Sequence, residues 1–348
     1  MIMQVFNTIW MRRFWYIIVF CSVIVGLWWS DSIHIKGRSS FPITSTSPSE
    51  DIIHLSLSTT SGELLVSPRT SYQRRKEVIG TSRGSLDFWL YSFTEKKLLQ
   101  RIQSLATQWV EIRAILEDKL HGDTPRRRTD LKASLTNNNI SIQSDSKLHT
   151  NFVHAKTFLW ESGFIIQTAN LTHSSFEKNR EYFWISRDNE IHDNLKKIFE
   201  SDRAWNPVTS DEIHPNLLIC PINCRSKIVY LLKSARQSID IQNQYIKDDQ
   251  IQQLLLHYAK GVTLRIILPN TPDNRITQSK FPNSVRLLTS PYTHAKMIAI
   301  DNDILVLSSI NLSSNSIDNN REIGIIINNA RAFNQWKKTF DDDRSRAK

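Results

Sequence analysis

The sequence predicts an α/β protein made of two similar α/β/α sandwich halves, related by a pseudo-two-fold axis and sharing one active site, plus an N-terminal membrane helix. Three observations lead to this fold class. A series of polar residues occurs twice, the strand–helix–strand order around it is the same both times, and an uncharged apolar run precedes both. At 348 residues, the chain is long enough for two domain-sized cores.

Residues 1–30 are predicted to be a membrane anchor, with a signal sequence as the alternative. An arginine pair precedes the uncharged run 14–29, which rises about 24 Å as a helix, against a hydrocarbon core of about 30 Å. The bulky Trp28 and Trp29 stand where signal-peptide cleavage requires small residues. This favours an uncleaved anchor.

The arginine pair predicts a cytoplasmic N-terminus and an extracytoplasmic body, although Lys36 and Arg38 on the far side reduce the charge asymmetry. Residues 31–60 are rich in Ser, Thr and Pro and have no helical period. They are therefore predicted to be a flexible linker between the anchor and the body.

The first half of the body is predicted to cover residues 61–205. Ser85–Tyr91 has the pattern of a buried strand. Glu95–Gln108 places its leucines and isoleucine on one face and is predicted to be an amphipathic helix, and Val110–Leu116 alternates as a strand.

The second half, residues 206–348, repeats this order. Ser238–Gln244 is a predicted strand, Asp249–Lys260 a predicted helix and Thr263–Leu268 a predicted strand. Gly261 stands where a glycine commonly ends a helix. Alternation of this kind predicts sheets flanked by helices in both halves.

The repeated polar series carries the functional prediction. Its first copy consists of His154, Lys156, Glu161, Thr168, Asn170, Asn179 and Glu181. Its second copy consists of His294, Lys296, Asp301, Ser309, Asn311, Asn320 and Glu322. In both copies the second Asn follows the first by 9 residues, and the Glu follows by 11. Two copies with equal spacing are a much stronger signal than one His-x-Lys pair.

These residue types suit the cleavage of a phosphodiester. A neutral imidazole can attack phosphorus, and a protonated one can donate to the leaving oxygen. Lysine, asparagine and hydroxyl side chains can neutralise the phosphate oxygens, and a glutamate can hold the far nitrogen of each imidazole. Because residues i and i+2 of a strand share a face, each His is expected to project together with the Lys two residues later.

At these residues the sequence resembles the phospholipase D superfamily, whose signature H-x-K-x4-D followed by G-S-x-N is duplicated in one chain. The second copy matches H-x-K-x4-D in full and has Ser308 in place of Gly. The first copy has Glu161 in place of Asp, and Gln167 and Thr168 in place of Gly-Ser. The resemblance covers roughly residues 60–340. It implies the two-half fold, a covalent phosphohistidine intermediate, and no metal or other cofactor.

The resemblance and the chemistry together assign roles. The predicted catalytic residues are His154, Lys156, Glu181, His294, Lys296 and Glu322. The predicted phosphate-binding residues are Thr168, Asn170, Ser309 and Asn311, and the predicted structural ones are Glu161, Asp301, Asn179 and Asn320. His154 is predicted to attack and His294 to protonate the leaving group, although the near symmetry of the motif also allows the reverse. A monomer suffices for a complete site, and the oligomeric state stays open.

The substrate is less well specified. A net charge of +10 favours an anionic partner. The predicted anchor favours a membrane-anchored phospholipase D that cleaves a phospholipid head group by hydrolysis or by transfer to an alcohol. A metal-independent nuclease acting on DNA or RNA is the first alternative. An inactive binding module for anionic polymers is the alternative from a different class.

A cardiolipin synthase-like phosphatidyltransferase is a further alternative. Cardiolipin synthases usually carry Asp and Arg two and four residues after the motif Asn. This chain has Thr172 and Ser174 in the first copy, and Ser313 and Asn315 in the second. These departures weaken that alternative.

Two further features stand outside the repeat. Arg126–Arg128 lies in the longer connection of the first half, where it is predicted to bind substrate phosphates or to form a solvated loop. Cys220 and Cys224 are close enough in sequence to pair if the body is extracytoplasmic, and the sequence leaves that pairing open.

Overall fold

The structure, a computed structural model, describes residues 56–68, 71–118, 133, 135–136, 138, 140–144, 148, 150–258 and 260–348. The predicted anchor at 14–29, most of the predicted linker and Arg126–Arg128 lie outside the described residues. Within the described part of the chain, no helix is both long enough and apolar enough to span a membrane.

The first half is an alternation of short strands and helices. Its elements are β1 Glu63–Ser67, α1 Ser71–Ile79, β2 Ser85–Leu90, α2 Lys96–Ala106, β3 Glu111–Leu116, β4 Ser141–Ser144, β5 Lys156–Trp160, β6 Gly163–Gln167, α3 His173–Glu177, β7 Asn179–Ser186 and α4 Asn189–Ala204. The three elements predicted from the sequence are β2, α2 and β3, each within two residues of its predicted ends. Glu95 caps α2 by accepting a hydrogen bond from the Leu98 N–H at 2.6 Å.

The second half follows the same plan. Its elements are β8 Leu217–Ile219, α5 Cys224–Ser234, β9 Ser238–Asn243, α6 Asp249–Tyr258, β10 Thr263–Pro269, α7 Pro272–Lys280, β11 Val285–Leu288, β12 Tyr292–Thr293, β13 Lys296–Ile300, β14 Ile304–Ser308, α8 Ser314–Asp318, β15 Ile323–Asn328 and α9 Ala330–Arg346. The predicted elements are β9, α6 and β10.

The two sheets have the same strand order. The first runs β1-β7-β6-β5-β2-β3-β4, and the second runs β8-β15-β14-β13-β9-β10-β11 when read in the matching direction. In the first sheet β3 pairs in parallel with β2 and β4, and in the second β10 pairs in parallel with β9 and β11. The other neighbours in each sheet pair antiparallel. The predicted α/β class with two similar halves is therefore confirmed. The halves also pair with each other: β12 of the second half pairs with β7 of the first, and a bridge between Val153 and Arg321 is the matching contact.

Alternating strand residues divide the interior into three cores. In β7, Tyr182 and Trp184 face a central core that also contains α4, α9 and one face of the second sheet. Phe183 and Ile185 of the same strand face an outer core beneath α1 and α2. A second outer core lies beneath α5 and α6. Because apolar residues fill both faces of these strands, the two halves bury one shared central layer and form a single packed unit.

A disulfide between Cys220 and Cys224 joins the end of β8 to the start of α5. The first half has serines at the two matching positions, Ser67 at the end of β1 and Ser71 at the start of α1. We expect the double variant Cys220→Ser/Cys224→Ser, which copies the first half, to lower the free energy of unfolding by about 2 kcal/mol, since a short closed loop gives a small chain-entropy effect. Denaturant unfolding under oxidising conditions measures it, and reduced wild-type protein is the control. A variant as stable as the oxidised wild type contradicts this expectation.

Candidate active site

The two motif histidines lie immediately before matching strands, and the motif lysines begin those strands. His154 and Lys156 lie at the start of β5, and His294 and Lys296 lie at the start of β13. Each lysine ammonium donates to the backbone oxygen of its own histidine, at 2.6 Å in the second half. Both lysine side chains are buried. Each lysine is thus bound to the backbone of its own histidine.

The histidine–glutamate contacts cross between the halves. His154 Nδ1 lies 2.9 Å from both carboxylate oxygens of Glu322, which belongs to the second copy of the motif. His294 Nδ1 lies 2.8 Å from Glu181 Oε1, which belongs to the first copy. Both glutamates are fully buried. Because Nδ1 of each imidazole faces a carboxylate, Nε2 is the nitrogen left for a substrate, and both halves are needed for either pair.

Backbone pairing between the halves explains the crossing. The His154 N–H donates to the Arg321 carbonyl at 2.9 Å, and the His294 N–H donates to the Arg180 carbonyl at 3.2 Å. The short strand β12, which leads to His294, pairs with the start of β7, where Arg180 lies. Each histidine therefore lies beside the residue that precedes the other half's glutamate.

The side chains of the same two arginines fix this arrangement. Arg180 donates to both oxygens of Asp343 at 2.7 and 2.9 Å, and Arg321 donates to Asp202 at 2.8 Å. Each also donates to a carbonyl of its own half, Ser67 at 2.6 Å or Cys220 at 2.7 Å. The sequence analysis missed these residues, although Asn-Arg-Glu occurs in both copies and could have revealed them.

The motif hydroxyl groups face the glutamates. Thr168 Oγ1 donates to Glu181 at 2.6 Å, and Ser309 Oγ donates to Glu322 at 2.6 Å. The prediction that Thr168 and Ser309 bind the substrate phosphate stays a prediction, and the structure shows a second role for both hydroxyls. Since a hydroxyl has one proton and these protons are given to carboxylates, the two residues position the glutamates.

The motif asparagines divide into two kinds. Asn179 and Asn320 donate to Glu181 and Glu322 at 3.4 and 3.2 Å. The side-chain oxygens of Asn170 and Asn311 are buried and have no hydrogen-bond partner among the residues described. The first pair supports the glutamates, while the second has buried side-chain oxygens that can only accept a hydrogen bond.

Comparison with known proteins identifies this arrangement. The family described as "Cardiolipin synthase, PLD-like domain" matches residues 76–203 and 228–344, more than half of the chain. The chain belongs to the phospholipase D superfamily.

Relatives in the superfamily include bacterial cardiolipin synthases. Cardiolipin synthase 1 of Bacillus anthracis is 28% identical over 131 residues, which make up 34% of this chain and 26% of that protein. Cardiolipin synthase of Halalkalibacterium halodurans is 29% identical over 109 residues, 28% of this chain and 22% of that protein. The matched part of the chain thus spans about a quarter of the length of these relatives.

Solved structures share the phospholipase D fold at low identity. Phosphatidylserine synthase of Haemophilus influenzae gives a TM-score of 0.66 at 12% identity and covers 82% of this chain and 86% of its own. Polyphosphate kinase of Porphyromonas gingivalis gives 0.64 at 14% identity and covers 81% of this chain and 50% of its own.

Two departures from the cardiolipin synthase pattern have a local explanation. Thr172 and Ser313, which stand two residues after the motif Asn, are the N-cap residues of α3 and α8. Each side-chain oxygen accepts from a backbone N–H three residues later, at 3.3 Å. Since Ser, Thr and Asp all cap helices, these residues do what an Asp would do there.

The residues that end the H-x-K-x4-D motif bind backbone groups. Asp301 accepts from the N–H groups of three successive residues at the start of β9, of which Ser238 is the first residue of the strand, at 2.7 to 2.9 Å. Glu161 accepts from the Arg83 N–H before β2 at 2.7 Å. Both carboxylates therefore support the strand next to the motif strand. The longer Glu161 has one such bond in the described residues where Asp301 has three.

Burial dominates the electrostatics of this phospholipase D site. It lowers the pKa of His154 to about 4 and also lowers the pKa of His294. It lowers the pKa of Lys156 to about 7 and that of Lys296 to about 8. Burial alone would raise the pKa of both glutamates, but the adjacent imidazole, lysine and hydroxyl groups outweigh it and hold the pKa below its ordinary value.

Two tyrosines that the sequence analysis missed also border the site. The Tyr91 ring lies 4.8 Å from the His154 ring in an edge contact, and Lys156 Nζ lies 5.3 Å from the Tyr91 ring centroid. Tyr245 interacts with the side chains of Ser313 and Asn311. Tyr91 directly follows β2, and Tyr245 lies two residues after β9.

In the ranges that the structure describes, no group of three or more His, Cys, Asp and Glu side chains is arranged to hold a metal ion.

Proposed function

We propose that this chain cleaves the head-group phosphodiester of a phospholipid and passes the phosphatidyl group to water or to an alcohol. The observation that carries the proposal is the pair of crossed His–Glu contacts, His154 with Glu322 and His294 with Glu181. They give one buried site two imidazoles, each oriented by a carboxylate. Double displacement at phosphorus requires such a pair, one as nucleophile and one as acid–base group.

In the first step His154 Nε2 attacks phosphorus, so that a P–N bond forms and the P–O bond to the head group breaks. His294 donates its Nε2 proton to the leaving oxygen. In the second step His294 takes a proton from water or an alcohol, whose oxygen attacks phosphorus and breaks the P–N bond. Glu322 stabilises the charge on His154 while the P–N bond exists, and Glu181 does so for His294 when it is protonated.

The phosphate oxygens are assigned to the lysines and to the side-chain N–H groups of the motif asparagines. Lys156 and Lys296 supply positive charge, and Asn170 and Asn311 supply amide donors. In this structure the lysine ammonium groups donate to histidine backbone oxygens, and each retains further protons for a phosphate. Thr168 and Ser309 act indirectly, through the glutamates.

A phospholipid substrate is supported by several observations. The sequence relatives are named as cardiolipin synthases. The capping role of Thr172 and Ser313 accounts for the absence of Asp at these two positions, while Ser174 and Asn315 still differ from the Arg of cardiolipin synthases. The predicted anchor at 14–29 would hold the site beside lipid. The Cys220–Cys224 disulfide fits an extracytoplasmic body.

The test uses the purified full chain in EDTA with vesicles of phosphatidylglycerol, and separately with single-stranded and double-stranded DNA. We expect phosphatidic acid if water accepts the phosphatidyl group, or cardiolipin and glycerol if a second phosphatidylglycerol accepts it. His154→Asn and His294→Asn are the controls, and both should form no product. DNA cleavage that both variants lose, without lipid turnover, would replace this proposal with the nuclease alternative.

The pKa values of the site predict an unusual pH profile. Neutral His154 persists down to about pH 4, and the positive charge on Lys156 and Lys296 is lost as the pH rises through about 7 to 8. We therefore expect kcat/KM to fall below about pH 4, where His154 gains a proton. On the alkaline side it should fall first as His294, whose pKa is lowered, loses its proton, and then as the two lysines lose theirs. Because a bound phosphate anion raises the lysine pKa values, the alkaline fall in kcat should lie at higher pH than that in kcat/KM. An alkaline limb at the same pH in both parameters contradicts this.

A further inference from the structure

Arg75 is a buried cation behind one of the two His–Glu pairs. It lies in α1, is fully inaccessible to solvent and donates from Nη1 to Gln167 Oε1 at 3.0 Å. Its guanidinium carbon lies 4.0 Å from the ring centroid of Phe176 and 5.1 Å from that of Phe183. Nε and Nη2 have no hydrogen-bond partner in the part of the chain that the structure describes. A charge buried with so few partners is costly, which indicates a role beyond packing.

The second half has no counterpart to this cation. Arg75 lies eight residues after Ser67, and Ile228 lies eight residues after the matching Cys220. The surrounding positions change as a set: Gln167, Phe176 and Phe183 of the first half match Ser308, Ile317 and Gly324 of the second. The departure of Gln167 from the superfamily signature is thus part of the Arg75 environment.

Gln167 connects Arg75 to the active site. While its oxygen accepts from Arg75, its amide nitrogen donates to the Ala169 carbonyl at 2.9 Å. These two contacts hold the segment whose middle residue, Thr168, donates to Glu181 at 2.6 Å. The negative charge of Glu181 also acts on Arg75 directly. Arg75 is therefore coupled to the Glu181 carboxylate both through this hydrogen-bonded segment and through space.

The charged groups around His294 determine how Arg75 affects the protonation of that imidazole. Glu181 faces it from β7, Lys296 from β13 and Lys156 from β5. Arg75 itself is faced by Tyr72, Glu95 and Glu181. Although burial lowers the pKa of Arg75 to about 9, it remains charged at neutral pH. The positive charge of Arg75 offsets part of the negative charge of Glu181. Arg75 therefore weakens the stabilisation that Glu181 gives to protonated His294, and so opposes its protonation.

Glu322 has a different support. The Ser316 hydroxyl donates to Glu322, whereas the matching Ser175 lies against the Thr172 hydroxyl at 2.9 Å. Glu322 thus has an extra neutral hydrogen-bond donor, whereas Glu181 interacts electrostatically with the buried Arg75.

We propose that Arg75 is a positioning residue for the Glu181–His294 pair and that it makes the two repeated histidines unequal as acids. The consequence for catalysis rests on the proposed function, but the inequality itself does not. It can be measured without any substrate.

The test is a ¹⁵N NMR titration of the histidine side chains in the full chain. The principal variant is Arg75→Ile/Gln167→Ser, which uses the side chains that the second half accommodates at these positions. We expect its His294 to bind a proton about tenfold more tightly, which is one pKa unit, and its His154 to titrate as in wild type. Arg75→Lys keeps the charge and should leave His294 close to wild type. Arg74→Ile, on the exposed face of α1, is the control for helix substitution.

In Arg75→Ile/Gln167→Ser, equal shifts of both histidines, or no shift of His294, would overturn the proposal. If Arg75→Ile/Gln167→Ser does not fold, Arg75→Leu, which removes the charge and keeps Gln167, is titrated instead, and a His294 shift no larger than its His154 shift would overturn the proposal. A titration result as expected with no lipid turnover would reject the proposed function while leaving the role of Arg75 in place.

Discussion

His294→Asn is expected to reduce turnover by about 10⁴-fold or more while leaving the fold intact, because Asn can neither attack phosphorus nor exchange a proton at this position. His154→Asn should do the same, since each step needs both imidazoles. The measurement is the rate of product release from phosphatidylglycerol vesicles under single-turnover conditions.

A matched histidine substitution separates chemistry from folding. His257 lies exposed on α6, and His257→Asn should retain wild-type activity. Combining His154→Asn with His294→Asn should cost little more than either change alone, because residues that act as a unit have non-additive effects. Substantial activity in either single variant would show that the crossed pairs are not the reacting groups.

Arg321→Met is expected to lower the free energy of unfolding by about 3 to 5 kcal/mol. Arg321 and Asp202 form a buried ion pair between the halves, at 2.8 Å, and Asp202 also accepts from the Trp89 indole N–H at 2.9 Å. Removing the cation leaves a buried carboxylate without its main partner. The midpoint and slope of denaturant unfolding measure the effect.

Two comparisons test the reason for that loss. In Arg321→Met/Asp202→Asn the buried charge is gone, so part of the stability should return. Lys337→Met breaks the Lys337–Asp341 pair, in which Asp341 is 48% exposed, and should cost less than about 1 kcal/mol. Equal losses in Arg321→Met and Lys337→Met would show that the Arg321–Asp202 pair does not hold the halves together.

The sequence contained the fold class and the identities of most site residues, because two copies of one spaced pattern constrain both. The strand β2 at Ser85–Leu90 and its repeat β9 at Ser238–Asn243 were predicted to within one residue. Helix α4 was not assigned, although Ile191, Leu195 and Ile198 have helical spacing and are buried.

The contacts between the copies could not be predicted in the same way. The spacing is identical whether Glu322 serves His294 of its own copy or His154 of the other, and the backbone pairing between the halves decides it, through the Val153–Arg321 bridge and the pairing of β12 with β7. Nor does a hydroxyl at Thr168 reveal whether its proton goes to a phosphate or to a carboxylate. A comparison of the two copies of the repeat could not reveal Arg75, because the matching residue of the second half is Ile228.

The central claim is that one active site is built by glutamates that cross between the halves. The most direct measurement is the ¹⁵N and ¹H resonance of the Nδ1–H of each histidine, recorded at neutral pH in Glu322→Gln and in Glu181→Gln. We predict that Glu322→Gln shifts the His154 resonance and leaves His294 nearly unchanged, and that Glu181→Gln does the reverse. A shift of His294 in Glu322→Gln, with His154 unchanged, would contradict the crossed arrangement and with it the shared site.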